Sequence, residues 1–148
     1  MHNTLAASDY GLLDQNTFNP RPNYWASVLW HKLMGTTVLD PQVSIAPNTY
    51  VYAQCLAGRA GGVTLLIINA DRQRSFDLDL PTASVRYTLT AKRLEDTTVE
   101  LNGKPLRLKS SGVLPQFKGE PVKAGPVSFA PTSITYLSIP NAGNANCQ

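Results

Sequence analysis

The spacing of the apolar residues changes once along this chain, near Gly35, and no other feature constrains the fold as much. Over Asn23 to Met34, Ala26, Leu29, Trp30 and Leu33 recur at i, i+3, i+4 and i+7, with Ser27 and His31 opposite. That spacing predicts a helix with one apolar face. Pro22 suits its first turn, where a missing N–H has no intrahelical acceptor to lose, and Gly35 is expected to close it in the left-handed conformation. Beyond Gly35 the period falls to two. "TYVYAQCLA" alternates Val51, Ala53 and Cys55 against Tyr50, Tyr52 and Gln54, while "VTLLIIN" is the near-continuous apolar run of a central strand. "SFDLDL" turns Phe76, Leu78 and Leu80 inward and Asp77 and Asp79 outward. "VRYTLTAKRL" reads as a further strand, and in "VELNGKPLRL" the Asn102-Gly103 pair favours a type I′ hairpin turn. The stretch from Ser110 to Pro131 is rich in Gly and Pro and is expected to cross between sheets, with Val113, Val127 and Phe129 adding short edge strands. "SITYLSI", Ser133 to Ile139, is the closing strand.

Seven or eight short strands at this spacing predict a mainly β fold, an antiparallel β-sandwich. One short strand, Thr4 to Tyr10, a Pro-punctuated loop and the helix come before it, so the boundary between units falls at residues 35 and 36. A chain of 148 residues has room for one such core. Its 43% hydrophobic and 16% charged residues are those of a folded domain, and eleven prolines and ten glycines agree with many turns.

The chemistry is sparse. Thirteen Lys and Arg against ten acidic residues leave a net charge of +3, and the basic residues form no stripe, so no nucleic-acid partner is expected. No apolar run approaches the roughly 18 residues of a membrane span, and the N-terminus lacks the basic and apolar regions of a signal peptide. Asp77 and Asp79 read as a solvated strand face. Asp9 and Asp14 flank the end of the first strand and read first as capping or loop-bracing groups. His2 sits near the terminus, and His31 lies in the last helical turn, where an imidazolium suits the dipole. No nucleophile elbow, zinc-protease pair or phosphate-binding glycine loop is present, and neither a metal nor a cofactor is expected. Cys55 and Cys147 lack metal-ligand spacing. They form a disulfide that ties down the tail and implies an oxidising compartment, or they stand as one buried thiol and one free one.

The opening stretch carries more. "HNTLAASDYGLLDQNTFNPRPNYWASVLWHKLMGTTVL" resembles the end of the catalytic barrel in the heparanase and β-glucuronidase family of glycoside hydrolases, family 79. There a final barrel strand ends near an Asn-Tyr or Asp-Tyr pair and leads through a "TF-P-P-YW" loop to the last barrel helix. "KLMGTTVL" then enters a C-terminal β-sandwich. The element order matches throughout, including the "VYAQC" strand and a cysteine just before the C-terminus, positions that the family joins as Cys55–Cys147. The resemblance implies a (β/α)8 barrel of which residues 1–35 are the last strand, loop and helix, and 36–148 the sandwich. It also implies that an earlier part of the full chain contributes to the sandwich. The parent would be a retaining β-glucuronidase, secreted or periplasmic. Its two catalytic glutamates lie on earlier barrel strands and so outside this chain, which is expected to be inactive alone, with the missing barrel as its partner. The family's contacts to a glucuronate carboxylate map here onto Ser8 and Tyr10. Two other readings stand beside this one: a free-standing sandwich that binds carbohydrate on a platform of Tyr50 and Tyr52, and a subunit completing a separately encoded barrel.

Overall fold

The structure is a computed structural model that describes Leu5, Ala6 and residues 10–148. The expected strand from Thr4 to Tyr10 lies mostly outside the described residues, as do Ser8, Asp9 and His2. A loop leads into helix α1, Pro22–Leu33, with proline in its first turn. Ten strands follow among the described residues: β1 Met34–Leu39, β2 Thr49–Leu56, β3 Val63–Asn69, β4 Phe76–Leu80, β5 Ser84–Thr90, β6 Glu100–Leu101, β7 Lys104–Pro105, β8 Glu120–Val122, β9 Gly125–Phe129 and β10 Ser133–Ile139.

The strands divide unequally. Eight form one sheet in the order β1-β2-β3-β10-β5-β6-β7, with β8 also paired to β5, while β4 and β9 make a separate two-stranded ribbon. All these pairings are antiparallel. Directly paired residues share a face, so the register sorts the side chains. Tyr52, Leu66, Tyr136 and Tyr87 form one row, and Tyr50, Ile68, Ile134, Leu89 and Leu101 the next. This face meets the helix: Trp25, Leu29 and Leu33 join Leu66, Leu89, Leu101 and Tyr136 in one buried cluster. The opposite face carries Ala53, Leu65, Leu137 and Arg86, then Val51, Ile67, Thr135 and Thr88. There Ile67 and Leu137 pack against Phe76, Leu80, Val127 and Phe129 of the ribbon. The sandwich is therefore an eight-stranded sheet between a helix and a ribbon.

Four features depart from the sequence reading. The helix buries Trp25, Leu29 and Leu33, an i, i+4, i+8 stripe, and leaves Trp30 41% exposed. Trp25 takes the inward place because Phe117, 6.1 Å away between ring centroids, comes from a distant loop to meet it. Gly35 does not close the helix in the left-handed conformation: the chain turns extended at Met34, φ −91° and ψ 121°, and passes straight into β1. The Leu33 carbonyl, left without an intrahelical donor, accepts the Thr64 hydroxyl at 2.8 Å and the Ala57 N–H at 3.1 Å. Gly35 is needed for a different reason, since a Cβ there would stand 2.6 Å from the Cys55 carbonyl oxygen. Val113 is exposed after a 3-10 turn, Ser110–Gly112, and the extra strand in that region is β8 instead. The strand count exceeds seven or eight because β1 and β8 add to the expected set, and the hairpin strands are only two residues long. Its turn has the type I′ form, with φ 49° at Asn102 and 73° at Gly103.

Candidate functional site

The chain before the helix is built around one carboxylate. Asp14 Oδ1 accepts the backbone N–H of Asn16 at 3.1 Å, that of Thr17 at 2.9 Å and the Thr17 hydroxyl at 2.9 Å. Its Oδ2 meets Arg21 Nη2 at 3.4 Å. The backbone N–H of Thr17, foremost among these donors, holds the carboxyl below the usual aspartate range. Asp14 is thus a loop-bracing ion. An isolated bridge between Leu13 and Pro20 and the Arg21 N–H donating to the Leu12 carbonyl close the loop's base, and Phe18 takes φ 56° at its tip.

Beside this loop lies an open groove of about 690 Å³. Trp25, Leu106 and Leu108 form its floor, Thr17 and Arg21 one wall, and Thr97, Thr98 and Arg107 the other. Trp25 is 2% exposed. Arg107 is exposed and forms no ion pair among the described residues, whereas Arg21 is paired with Asp14. None of the wall residues stood out in the sequence. Arg107 sits between Leu106 and Leu108 and shows only as an outward strand position; that it faces the Asp14 loop follows from how the helix packs.

Of the residues singled out from sequence, Ser8 lies outside the described residues. Tyr10 occupies a turn just before the braced loop and is 62% exposed. Cys55 and Cys147 are joined by a disulfide, Cα to Cα 5.3 Å, across 92 residues of sequence. The tail is further held by Gly61, whose N–H donates to the Cys147 carbonyl and whose carbonyl accepts from Asn144 at 3.0 Å. Tyr50 and Tyr52 are 49% and 50% exposed on the helix side of the sheet, beyond the strip that α1 covers. Asp77 and Asp79 point to solvent, and His31 is exposed in the last helical turn beside Lys32. Among the described residues no three His, Cys, Asp or Glu gather as a metal site, and no helix is long and apolar enough to cross a membrane.

The fold is shared with a protein of known structure. A GH30 endoxylanase from Clostridium papyrosolvens C71 superposes with a TM-score of 0.56 at 13% identity, over 91% of this chain and 31% of that one, which establishes the fold. No family model matches the chain. Curated sequences do: baicalin-β-D-glucuronidase of Scutellaria baicalensis is 34% identical over 145 residues, 93% of this chain and 27% of that protein. Heparanase-like protein 1 of Arabidopsis thaliana is 31% identical over 185 residues, 97% of this chain and 34% of that protein. The chain belongs to the heparanase and β-glucuronidase family of glycoside hydrolases, and it spans about a third or less of the length of these relatives.

Proposed function

We propose that this chain is the C-terminal portion of a retaining β-glucuronidase or heparanase-like glycoside hydrolase. Residues 1–35 supply the last strand, loop and helix of a (β/α)8 barrel and 36–148 its β-sandwich. The observation that carries the reading is a relationship running along nearly the whole chain while spanning only 27% and 34% of two relatives. A retaining mechanism needs two carboxyl groups about 5–5.5 Å apart, and the family's pair belongs to earlier barrel strands. This chain then supplies no catalytic residue. It buttresses the barrel's last helix and presents Tyr10, with Ser8, to the carboxylate of a glucuronic-acid-containing glycan. The exposure of Tyr10 ahead of a loop fixed by Asp14 supports that role, since a charge-assisted hydrogen bond depends on a donor held in place. The disulfide fits a secreted or periplasmic parent.

The test is hydrolysis of a chromogenic β-glucuronide. The chain alone should give none, and the chain fused behind the barrel of a family β-glucuronidase, in place of that enzyme's own C-terminal portion, should restore turnover. In that fusion Tyr10→Ala should raise KM by about tenfold, the equivalent of roughly 1.4 kcal/mol. Turnover by the isolated chain, or a fusion that folds without activity, would overturn the reading. A second reading has its own observation: Tyr50 and Tyr52, both half exposed two residues apart on β2, would make an aromatic platform for a sugar. Loss of glycan binding in Tyr50→Ala/Tyr52→Ala with an unchanged melting temperature would favour that carbohydrate-binding module.

A further inference from the structure

We infer that the groove between the Asp14 loop and the β6–β7 hairpin is a binding site for an acidic oligosaccharide, distinct from the contacts proposed for Tyr10. It rests on the proposed function only for the choice of sugar; the site itself follows from shape and charge.

Its volume of about 690 Å³ falls in the roughly 300–1,000 Å³ range of small-molecule sites, which combine apolar lining with a few placed polar groups. Trp25 and Leu106 are 2% and 7% exposed, so the apolar contact open to the C–H edge of a pyranose ring comes mainly from half-buried Leu108. The hydroxyls of Thr17, Thr97 and Thr98 on the walls match their hydroxyl edges. A neutral sugar would make no use of the charges. Asp14 and Arg21 neutralise each other across 3.4 Å, which leaves Arg107 on the opposite wall as the cation without a partner among the described residues. Its fork of donors suits a carboxylate or sulfate, which it can hold with two parallel hydrogen bonds.

The walls are also pre-set. Hydrogen bonds to Asp14 hold the Thr17 side of the groove, Trp25 is locked beneath it against Phe117, and the type I′ turn at Asn102 and Gly103 fixes the hairpin strands that precede Arg107. Binding therefore orders little that is not ordered already, and this removes a main cost of association. The loop before the helix, the helix itself and the segments around the hairpin each contribute lining residues, and the helix does so from the face already buried on the sheet.

The experiment titrates the 148-residue chain with hyaluronan hexasaccharide, in which glucuronate alternates with N-acetylglucosamine, and with neutral chitohexaose, following amide and indole resonances. The acidic hexasaccharide should shift Trp25, Thr97 and Thr98 and bind at least about tenfold more tightly than the neutral one, with an affinity that falls as salt is added. Arg107→Ala should weaken it by about tenfold at an unchanged melting temperature, and Arg107→Lys should restore part of that by returning the charge without the fork. Equal affinity for the two sugars, shifts confined to Tyr50 and Tyr52, or indifference to Arg107→Ala would overturn the inference. Tyr10→Ala separates the two proposals. If it weakens binding while Arg107→Ala does not, the groove fails and the proposed function stands; groove shifts in a chain whose barrel fusion stays inactive leave the groove standing alone.

Discussion

The two faces of the large sheet are held down by different means. On the helix side ten buried residues from α1, β1, β3, β5, β6, β10 and the hairpin region form one cluster, with Trp25 and Tyr136 among its largest members. Side-chain ties reach across it from the sheet to the helix: the Tyr136 hydroxyl donates to the Ala26 carbonyl at 2.8 Å, and the Thr64 hydroxyl to the Leu33 carbonyl at 2.8 Å. On the ribbon side the cluster has six buried residues, and β4 with β9 is a thin cover. Cys55, which shares that face through its register with Val63, is bonded to the tail. A small core needs a covalent constraint where a larger one does not. The helix that the sequence set apart from the sandwich is thus part of the sandwich's main core.

The largest effect should come from breaking the helix-side core. Trp25→Ala is expected to cost about 3–5 kcal/mol, the usual range for emptying a buried aromatic site, read as a lower midpoint in urea. Trp30→Ala, on the same helix but outside the stripe, should cost well under about 1 kcal/mol. If Trp25→Ala cost as little as Trp30→Ala, the helix would be an appendage and the contrast between the faces would collapse. Next in size is the staple. Cys55→Ser/Cys147→Ser should lose about 2–5 kcal/mol, because the bond closes a long loop in the unfolded chain. Hydrogen exchange should then rise first in β9 and the tail, with α1 still protected. Equal loosening of α1 would show that the disulfide serves both faces alike.

Much of this was legible in the sequence, and the limits have physical causes. Strand alternation reports one face against the other, so β2, β3, β4, the hairpin and β10 were readable from local pattern alone. The division of strands into eight and two was not, since it depends on pairings between distant segments. Both Trp25 and Trp30 fit a helical stripe, and the choice between them is made by Phe117, some ninety positions downstream. Gly35 signals a special backbone requirement in either reading, but only the approach of Cys55 shows that the requirement is space. The groove stayed hidden because its two walls lie far apart in sequence. The Asp14 loop was visible as turn residues, and its bracing aspartate was weighed correctly, yet nothing local tells Arg107 what it faces.

A smaller effect tests the tyrosine tie in the helix-side core. Burial pushes the Tyr136 hydroxyl up to about 12 from 10.0, and Tyr87, its neighbour in the same row, is raised for the same reason. A phenol whose folded pKa is raised keeps its proton in the native state after the unfolded chain has lost it. The stabilisation is complete below pH 10 and is lost as pH rises from there toward 12. Stability in that window should therefore fall by up to about 1.4 kcal/mol per pH unit for each proton retained. Tyr136→Phe should flatten most of that slope and Tyr87→Phe less of it. A slope unchanged in Tyr136→Phe would place the alkaline transition elsewhere.

The finest comparison deletes one hydroxyl from each face. At neutral pH Tyr136→Phe removes a made hydrogen bond and should cost about 1 kcal/mol. Ser84 is 4% exposed on the ribbon side, and its hydroxyl finds no partner among the described residues; nor does the Nε of Arg86, two residues along the same strand face. A buried hydroxyl left unpaired carries its desolvation cost with nothing to offset it. Ser84→Ala should therefore be neutral or stabilising, by up to about 1 kcal/mol, measured in the same urea titrations. Opposite signs for two deletions of the same group would show that the Tyr136 hydroxyl is matched and the Ser84 hydroxyl is not; the helix side has its own unmatched atom in the Oε1 of Gln54. A loss of about 1 kcal/mol or more in Ser84→Ala would mean that its hydroxyl is bonded in solution, as the Tyr136 hydroxyl is.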